Sequence, residues 1–154
     1  MKSIRAVPVI AAASAALVVL PPLLFLGSAL FEGMGFGGGS TALAEQYVVE
    51  RSNLVVITLL GLVPMLLIML LLGIRRAIRK TWDGSGTYAL AASLPVVLVT
   101  IYVHLEYWPS YLPARQFLGF PHGLEFVIGP LFFAPAGILL GFLVAWIFRK
   151  QATQ

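Results

Sequence analysis

The chain has 154 residues, of which 60% are apolar and only 10% are charged, and its mean hydropathy is +0.97. A soluble domain carries about a quarter charged residues, so this composition excludes a water-soluble protein and indicates an integral membrane protein. The chain contains no cysteine, which excludes disulfides, thiolate metal sites and thiol nucleophiles. Its net charge of +4 does not indicate a nucleic-acid partner, because the basic residues flank apolar runs as membrane anchors do.

Four long uncharged runs follow one another along the chain. We predict membrane-spanning helices at about residues 6–31, 52–74, 84–107 and 122–148. A helix needs about 20 such residues to cross a bilayer, and a helix is required because an open strand edge in lipid leaves backbone groups unpaired. The connections are two outer loops, 32–51 and 108–121, and a loop on the opposite side, 75–83. The sequence therefore predicts one domain, an all-α integral membrane bundle of four transmembrane helices.

The basic residues predict how this bundle is oriented. All lysines and arginines except Arg51 and Arg115 lie before the first run, after the second or after the fourth. These three places share one side of the membrane if the spans alternate. The positive-inside rule puts that side, with both termini and the 75–83 loop, in the cytoplasm. The lack of cysteine and the Ala/Leu/Gly-rich composition suit a bacterial inner membrane.

The first run also resembles a secretory signal. Lys2 and Arg5 precede it, and Ala42-Leu43-Ala44 has the form of a cleavage site. A signal core spans about 7–15 residues, whereas this run is far longer, so we expect the first span to be retained.

The first outer loop opens with a glycine-rich segment, residues 33–40. It lacks the Gly-Lys-Ser/Thr ending and the preceding strand of a phosphate-binding loop, so we interpret it as a flexible linker. Helix-forming residues dominate from residue 41 to residue 50, where we predict a short interfacial helix leading into the second span.

Small residues predict where helices approach closely. Ala11 and Ala15 in the first span, and Gly137 and Gly141 in the fourth, have the four-residue spacing that brings helix backbones together in lipid. Each span also has proline near its middle, which indicates kinked helices.

Both histidines fall near the outer ends of the third and fourth spans, each beside a carboxylate. His104 and Glu106 close the third span, and His122 and Glu125 open the fourth. We predict that these four side chains converge on one outer patch, because they lie at similar depth and consecutive helices are usually neighbours. Two imidazoles and two carboxylates suit Zn²⁺ or Fe²⁺, and two histidines also suit a haem.

A structural role fits the same residues without any metal or other cofactor. Glu125 in a first helical turn interacts favourably with the helix dipole. His104 accompanies Tyr107 and Trp108 where polar side-chain tips meet lipid headgroups. Thr100, His104 and Trp108 share one helix face. Proton or substrate handling is the third interpretation, as for any ionisable group at membrane depth.

The sequence contains no recognisable enzyme signature: no His-Glu-x-x-His, no Gly-x-Ser-x-Gly, no phosphate-binding loop and no dinucleotide fingerprint. We therefore expect a non-catalytic accessory or assembly subunit, whose partners are the bilayer and other integral membrane proteins or further copies of itself. The alternatives are a small transporter or channel gated by the outer His/Glu patch, and an enzyme that acts on lipid or quinone.

Overall fold

The computed structural model describes residues 5–48, 54–114 and 124–151. These residues form helices and contain no strand. The α-helices are α1 (Ala6–Phe31), α2 (Phe36–Val48), α3 (Leu54–Arg79), α4 (Ser85–Ala114), α5 (Glu125–Ile128) and α6 (Ala134–Gln151), and a π-helical turn, Gly129–Phe133, joins α5 to α6. Within the described residues, α1, α3, α4 and the continuous α5–α6 segment are long and apolar enough to cross a membrane. The predicted all-α class with four candidate spans is confirmed.

Helix α4 is the central element of the bundle, because it packs against α1, α3 and α6. Its contact with α6 depends on two glycines. A Cβ added at Gly137 would lie 2.5 Å from Cβ of Pro95, and one added at Gly141 would lie 2.7 Å from the carbonyl carbon of Ala91. Because these positions carry no side chain, the backbones of α4 and α6 can come into contact. Lipid supplies no hydrophobic drive for helix association, so this close packing is what holds the two helices together.

The interior contains two clusters of buried side chains, one towards each end of the bundle. The first includes Leu17, Ile68 and Ile138, from three different helices. The second is built around Phe25 and Trp108 and is rich in aromatic rings. This second cluster contains the candidate functional site.

Helix α4 extends further than the sequence predicted. The helix does not end at residue 107, just before Pro109, because it continues to Ala114. A proline within a helix removes one backbone hydrogen bond. Packing offsets that loss here, since Trp108 and Tyr111 are buried against the core only if the helix continues beyond them.

The turn between α1 and α2 depends on Gly33, whose φ of +80° lies in the left-handed region that favours glycine. The backbone N–H of Gly33 donates to the Leu30 carbonyl at 3.1 Å, and that of Met34 donates to the Ala29 carbonyl at 3.0 Å. This pair of bonds is a Schellman motif, which ends a helix and satisfies its last carbonyls. The chain then turns directly into α2.

The flexible-linker interpretation is wrong for residues 36–40, because α2 already begins at Phe36. The glycines are accommodated by packing against α1. Gly39 is buried, and a Cβ added there would lie 3.1 Å from the Leu26 side chain and 3.4 Å from that of Ala29. The low helix propensity of glycine is thus overridden by a contact that only a small residue allows.

Helix α3 ends at Arg79, beyond the predicted boundary at residue 74, so Arg75, Arg76 and Arg79 are helical. Basic side chains are favourable at a helix C-terminus, where the macrodipole is negative. The connection to α4 is consequently a tight turn rather than the predicted loop of residues 75–83.

Candidate functional site

His104 lies inside the bundle and is only 2% exposed. Its ring centroid is 5.0 Å from that of Phe126 and 6.0 Å from that of Trp108, both in edge-on geometry. The interpretation that His104 extends to the lipid headgroups is therefore wrong. The face that it shares with Thr100 and Trp108 is the face that α4 turns inward.

Trp108 is the centre of an aromatic cluster and is completely buried. The cluster comprises Phe25, Tyr107, Trp108, Tyr111 and Phe126. The Trp108 ring centroid is 4.8 Å from that of Phe25 and 4.9 Å from that of Tyr107, and both pairs are edge-on. Edge-to-face pairs are stabilising because the positive edge of one ring meets the negative face of the other. The cluster ties α1, α4 and α5 together.

Two buried side chains of this region have polar atoms without partners. The two ring nitrogens of His104 make no hydrogen bond to a described residue. The same is true of the indole nitrogen of Trp108. An unsatisfied buried polar atom costs about 1–3 kcal/mol, so such groups call for an explanation. An imidazole can donate from one nitrogen and accept at the other. His104 is thus a candidate for binding a small polar molecule or moving a proton.

A small cavity lies beside His104. Its volume is about 20 Å³, enough for about one water molecule. It lies between four of the helices and the π-helical turn, and it is lined by Leu17, Pro21, Ile57, Thr58, Gly61, Val99, Thr100, Val103, His104, Phe126 and Pro130. Single π-helical turns occur frequently at functional sites, and this one begins between Phe126 and Pro130 of the cavity wall.

The two glutamates of the predicted patch lie elsewhere. Glu106 is exposed, and it lines a groove of about 280 Å³ together with Glu125 and Tyr102. His104 does not line this groove, because it lies on the opposite, inward face of α4. The structure thus places Glu106 and Glu125 on one groove and His104 on the inward face of α4.

The metal prediction also depends on His122, which lies outside the described residues, as does the distance between the two histidines. Among the residues that the structure describes, no three His, Asp or Glu side chains are grouped as metal ligands. The Zn²⁺ or Fe²⁺ site that was predicted from these four residues therefore stays a prediction.

The predicted helix-contact residues fall into two groups. Gly137 and Gly141 lie against α4 within the chain. Ala11 and Ala15 are exposed on the outer face of α1. The second pair therefore makes no close helix contact within the described part of this chain.

Two buried contributions to the site were missed by sequence reasoning. Phe25 contacts Trp108 from α1, and nothing in the spacing of either residue predicts that pairing. The side-chain nitrogen of the buried Gln46 donates to the Tyr111 hydroxyl at 3.1 Å and ties α2 to α4. The four-residue spacing of Tyr107 and Tyr111 did carry a signal, since it places both on one helix face.

The fold and this site define an all-helical protein with four candidate membrane spans and a buried, aromatic-walled histidine. Comparison with protein-family models, curated proteins and solved structures finds no match.

Proposed function

We propose that this is a non-catalytic multi-pass protein of a bacterial inner membrane, an accessory or assembly subunit held to another integral membrane protein or to a second copy of itself. One observation carries the proposal: Ala11 and Ala15 are both exposed on the outer face of α1. Small residues at this spacing let two helices approach closely in lipid. The corresponding glycines of α6 already lie against α4, so the alanine pair is the one left for a partner helix.

The filled interior favours association over transport or catalysis. The cavity beside His104 holds about 20 Å³, whereas sites for small molecules usually measure about 300–1,000 Å³. Trp108 and Phe25, both fully buried, fill the bundle next to it. A substrate at His104 would require these rings to move apart.

The orientation that we propose has both termini in the cytoplasm. Arg5 lines a cleft together with Asp83, and Arg75 and Arg149 both donate hydrogen bonds to the Asp83 carbonyl. These basic residues therefore share one end of the bundle. The positive-inside rule supports the cytoplasmic side for that end.

Reporter fusions test this orientation. We expect alkaline phosphatase to be active when fused after Gly37 or Arg115, and a cytoplasmic fluorescent protein to be fluorescent after Lys80 or Gln154. The reason is that the phosphatase folds only outside the cytoplasm. Active phosphatase after Lys80, with a dark fluorescent fusion there, would contradict the proposed topology.

Affinity purification from native membranes in a gentle detergent tests the association. We expect a stoichiometric partner, or a differently tagged second copy, to co-purify with the wild-type protein. The double variant Ala11→Leu/Ala15→Leu should reduce that yield about tenfold, as expected if about 1.4 kcal/mol of helix packing is lost. The matched control is Ala136→Leu, which adds the same side chain at an exposed alanine of α6 and should leave the yield unchanged.

The proposal fails if the wild-type protein purifies as a monomer without a partner and shows turnover or transport in liposomes. Loss of that activity in His104→Gln would then assign the function to the buried histidine.

A further inference from the structure

A basic cleft opens at the end of the bundle where α3 and α6 end and α4 begins. Its volume is about 460 Å³. Four cationic side chains line it, together with a single carboxylate residue, Asp83. The cations lie near the C-terminal ends of two different helices and are Arg75, Arg79, Arg149 and Lys150. Helix dipoles explain why cations are tolerated there, but not why the two helix ends converge on one cleft.

Arginines from the two helix ends bind the same main-chain carbonyl, that of Asp83. A guanidinium nitrogen of Arg75 donates to the Asp83 oxygen at 2.8 Å, and one of Arg149 donates to the same oxygen at 2.7 Å. The Arg75 guanidinium carbon also lies 4.5 Å from the ring centroid of Tyr88, which fixes it by a cation–π contact. The shared oxygen is neutral, and Asp83 is the one acidic residue that lines the cleft against four cationic ones. The cleft therefore carries a net positive charge, which favours a bound anion.

An apolar groove adjoins the basic cleft. It measures about 440 Å³ and runs along α3 and α6 towards the middle of the bundle. Arg75, Arg79, Tyr88 and Trp146 line both the cleft and the groove, so the two are continuous. The remaining walls are hydrocarbon or aromatic, including Leu71, Ile74, Phe142 and Leu143. A ligand that fills both parts must have an anionic head and an apolar tail.

We propose that the basic cleft and the apolar groove together bind one anionic glycerophospholipid. The phosphodiester lies at Arg75 and Arg149, because guanidinium groups match phosphate oxygens in charge and in fork geometry. One acyl chain lies in the groove between α3 and α6. Trp146 is placed at the junction of head and tail, where tryptophan is favoured in membranes. Basic pockets between transmembrane helices are known to recognise such headgroups.

This inference needs the four helices to be in a membrane but does not depend on the proposed accessory role. Lipid binding is measured on the isolated protein, whereas the accessory role is measured by co-purification. Failure of either experiment is therefore distinguishable from failure of the other.

Native mass spectrometry of the delipidated protein in detergent tests the site. The probes are phosphatidylglycerol and phosphatidylcholine with identical acyl chains, and glycerol 3-phosphate as a small organic phosphate without an acyl tail. We expect phosphatidylglycerol to bind at least about fivefold more tightly than phosphatidylcholine, and glycerol 3-phosphate to bind far more weakly than either. Equal binding of both lipids would overturn headgroup recognition, and glycerol 3-phosphate binding as tightly as phosphatidylglycerol would reduce the cleft to a simple anion site.

Two neighbouring arginines of α3 provide a matched pair of variants. Both are exposed, but Arg79 lines the basic cleft and the apolar groove, whereas the guanidinium carbon of Arg76 lies over the Trp82 ring at 4.7 Å. Arg79→Gln should weaken phosphatidylglycerol binding about fivefold, the contribution of one basic residue near a headgroup. Arg76→Gln removes the same charge about one helical turn away and should leave the affinity unchanged. An equal loss of affinity in both variants would show that the lipid responds to diffuse surface charge, and it would overturn the proposed site.

Discussion

Replacing Gly141 with alanine is expected to destabilise the bundle by about 1–3 kcal/mol, the usual cost of forcing an extra methyl group into a packed contact. The new Cβ would lie 2.7 Å from the carbonyl carbon of Ala91 and 3.0 Å from Cα of Ala92. Both atoms belong to the α4 backbone, so no side chain can rotate away to make room. The α4–α6 contact must open instead. The resulting loss of stability is measured as a lower midpoint of unfolding in detergent.

Gly73→Ala is the matched control, because it is the same change within another long helix. An added Cβ at Gly73 meets no atom within 4 Å. Alanine is favoured over glycine in a helix interior by about 0.5–1 kcal/mol, so this variant should be as stable as the wild type or slightly more stable. If Gly141→Ala matched Gly73→Ala in stability, the close α4–α6 approach would be wrong.

The sequence predicted the long helices because their signal is local and continuous. The charge-free runs that begin near residues 6 and 84 start within a residue of α1 and α4. In lipid each backbone group must find its partner within its own helix, so composition and length are nearly sufficient. Helix class and number follow from that constraint without any knowledge of packing.

The ends and inner faces of the helices could not be predicted in this way. Aromatic residues at an apparent membrane border suggested headgroup contacts, but Tyr107 and Trp108 are buried, and Trp108 packs against Phe25 from α1. A pattern within one helix does not show which side another helix will cover. The two-residue spacing of His104 and Glu106 does put their side chains on roughly opposite faces of a helix. It could not show that His104 would be the one to face inward.

Glycine was also ambiguous in the sequence. The run that includes Gly39 has the composition of a linker, yet it begins α2 because a small residue can lie against Leu26 and Ala29. Glycine thus marks flexibility in an isolated segment and close contact in a packed one. The choice between the two depends on tertiary packing, which the local sequence does not contain.

Trp108→Ala is expected to destabilise the protein by about 3 kcal/mol, at the lower end of the range for losing a large buried aromatic side chain. The lower end applies because helices in lipid are held together by packing rather than by release of water. Trp108 is completely buried and has aromatic partners in α1, α4 and α5.

Trp108→Phe separates packing from polarity at this position. It retains a ring against Phe25 and removes an indole N–H that has no acceptor among the described residues. An unsatisfied buried donor is costly, so this variant should remain within about 1 kcal/mol of the wild type. Trp146→Ala controls for the loss of a tryptophan as such, because Trp146 is 47% exposed on α6. Unfolding midpoints are measured in detergent without added phospholipid. Among the three variants, we expect a marked fall for Trp108→Ala alone. A comparable fall for Trp146→Ala would argue against the aromatic cluster as the structural centre of this end of the bundle.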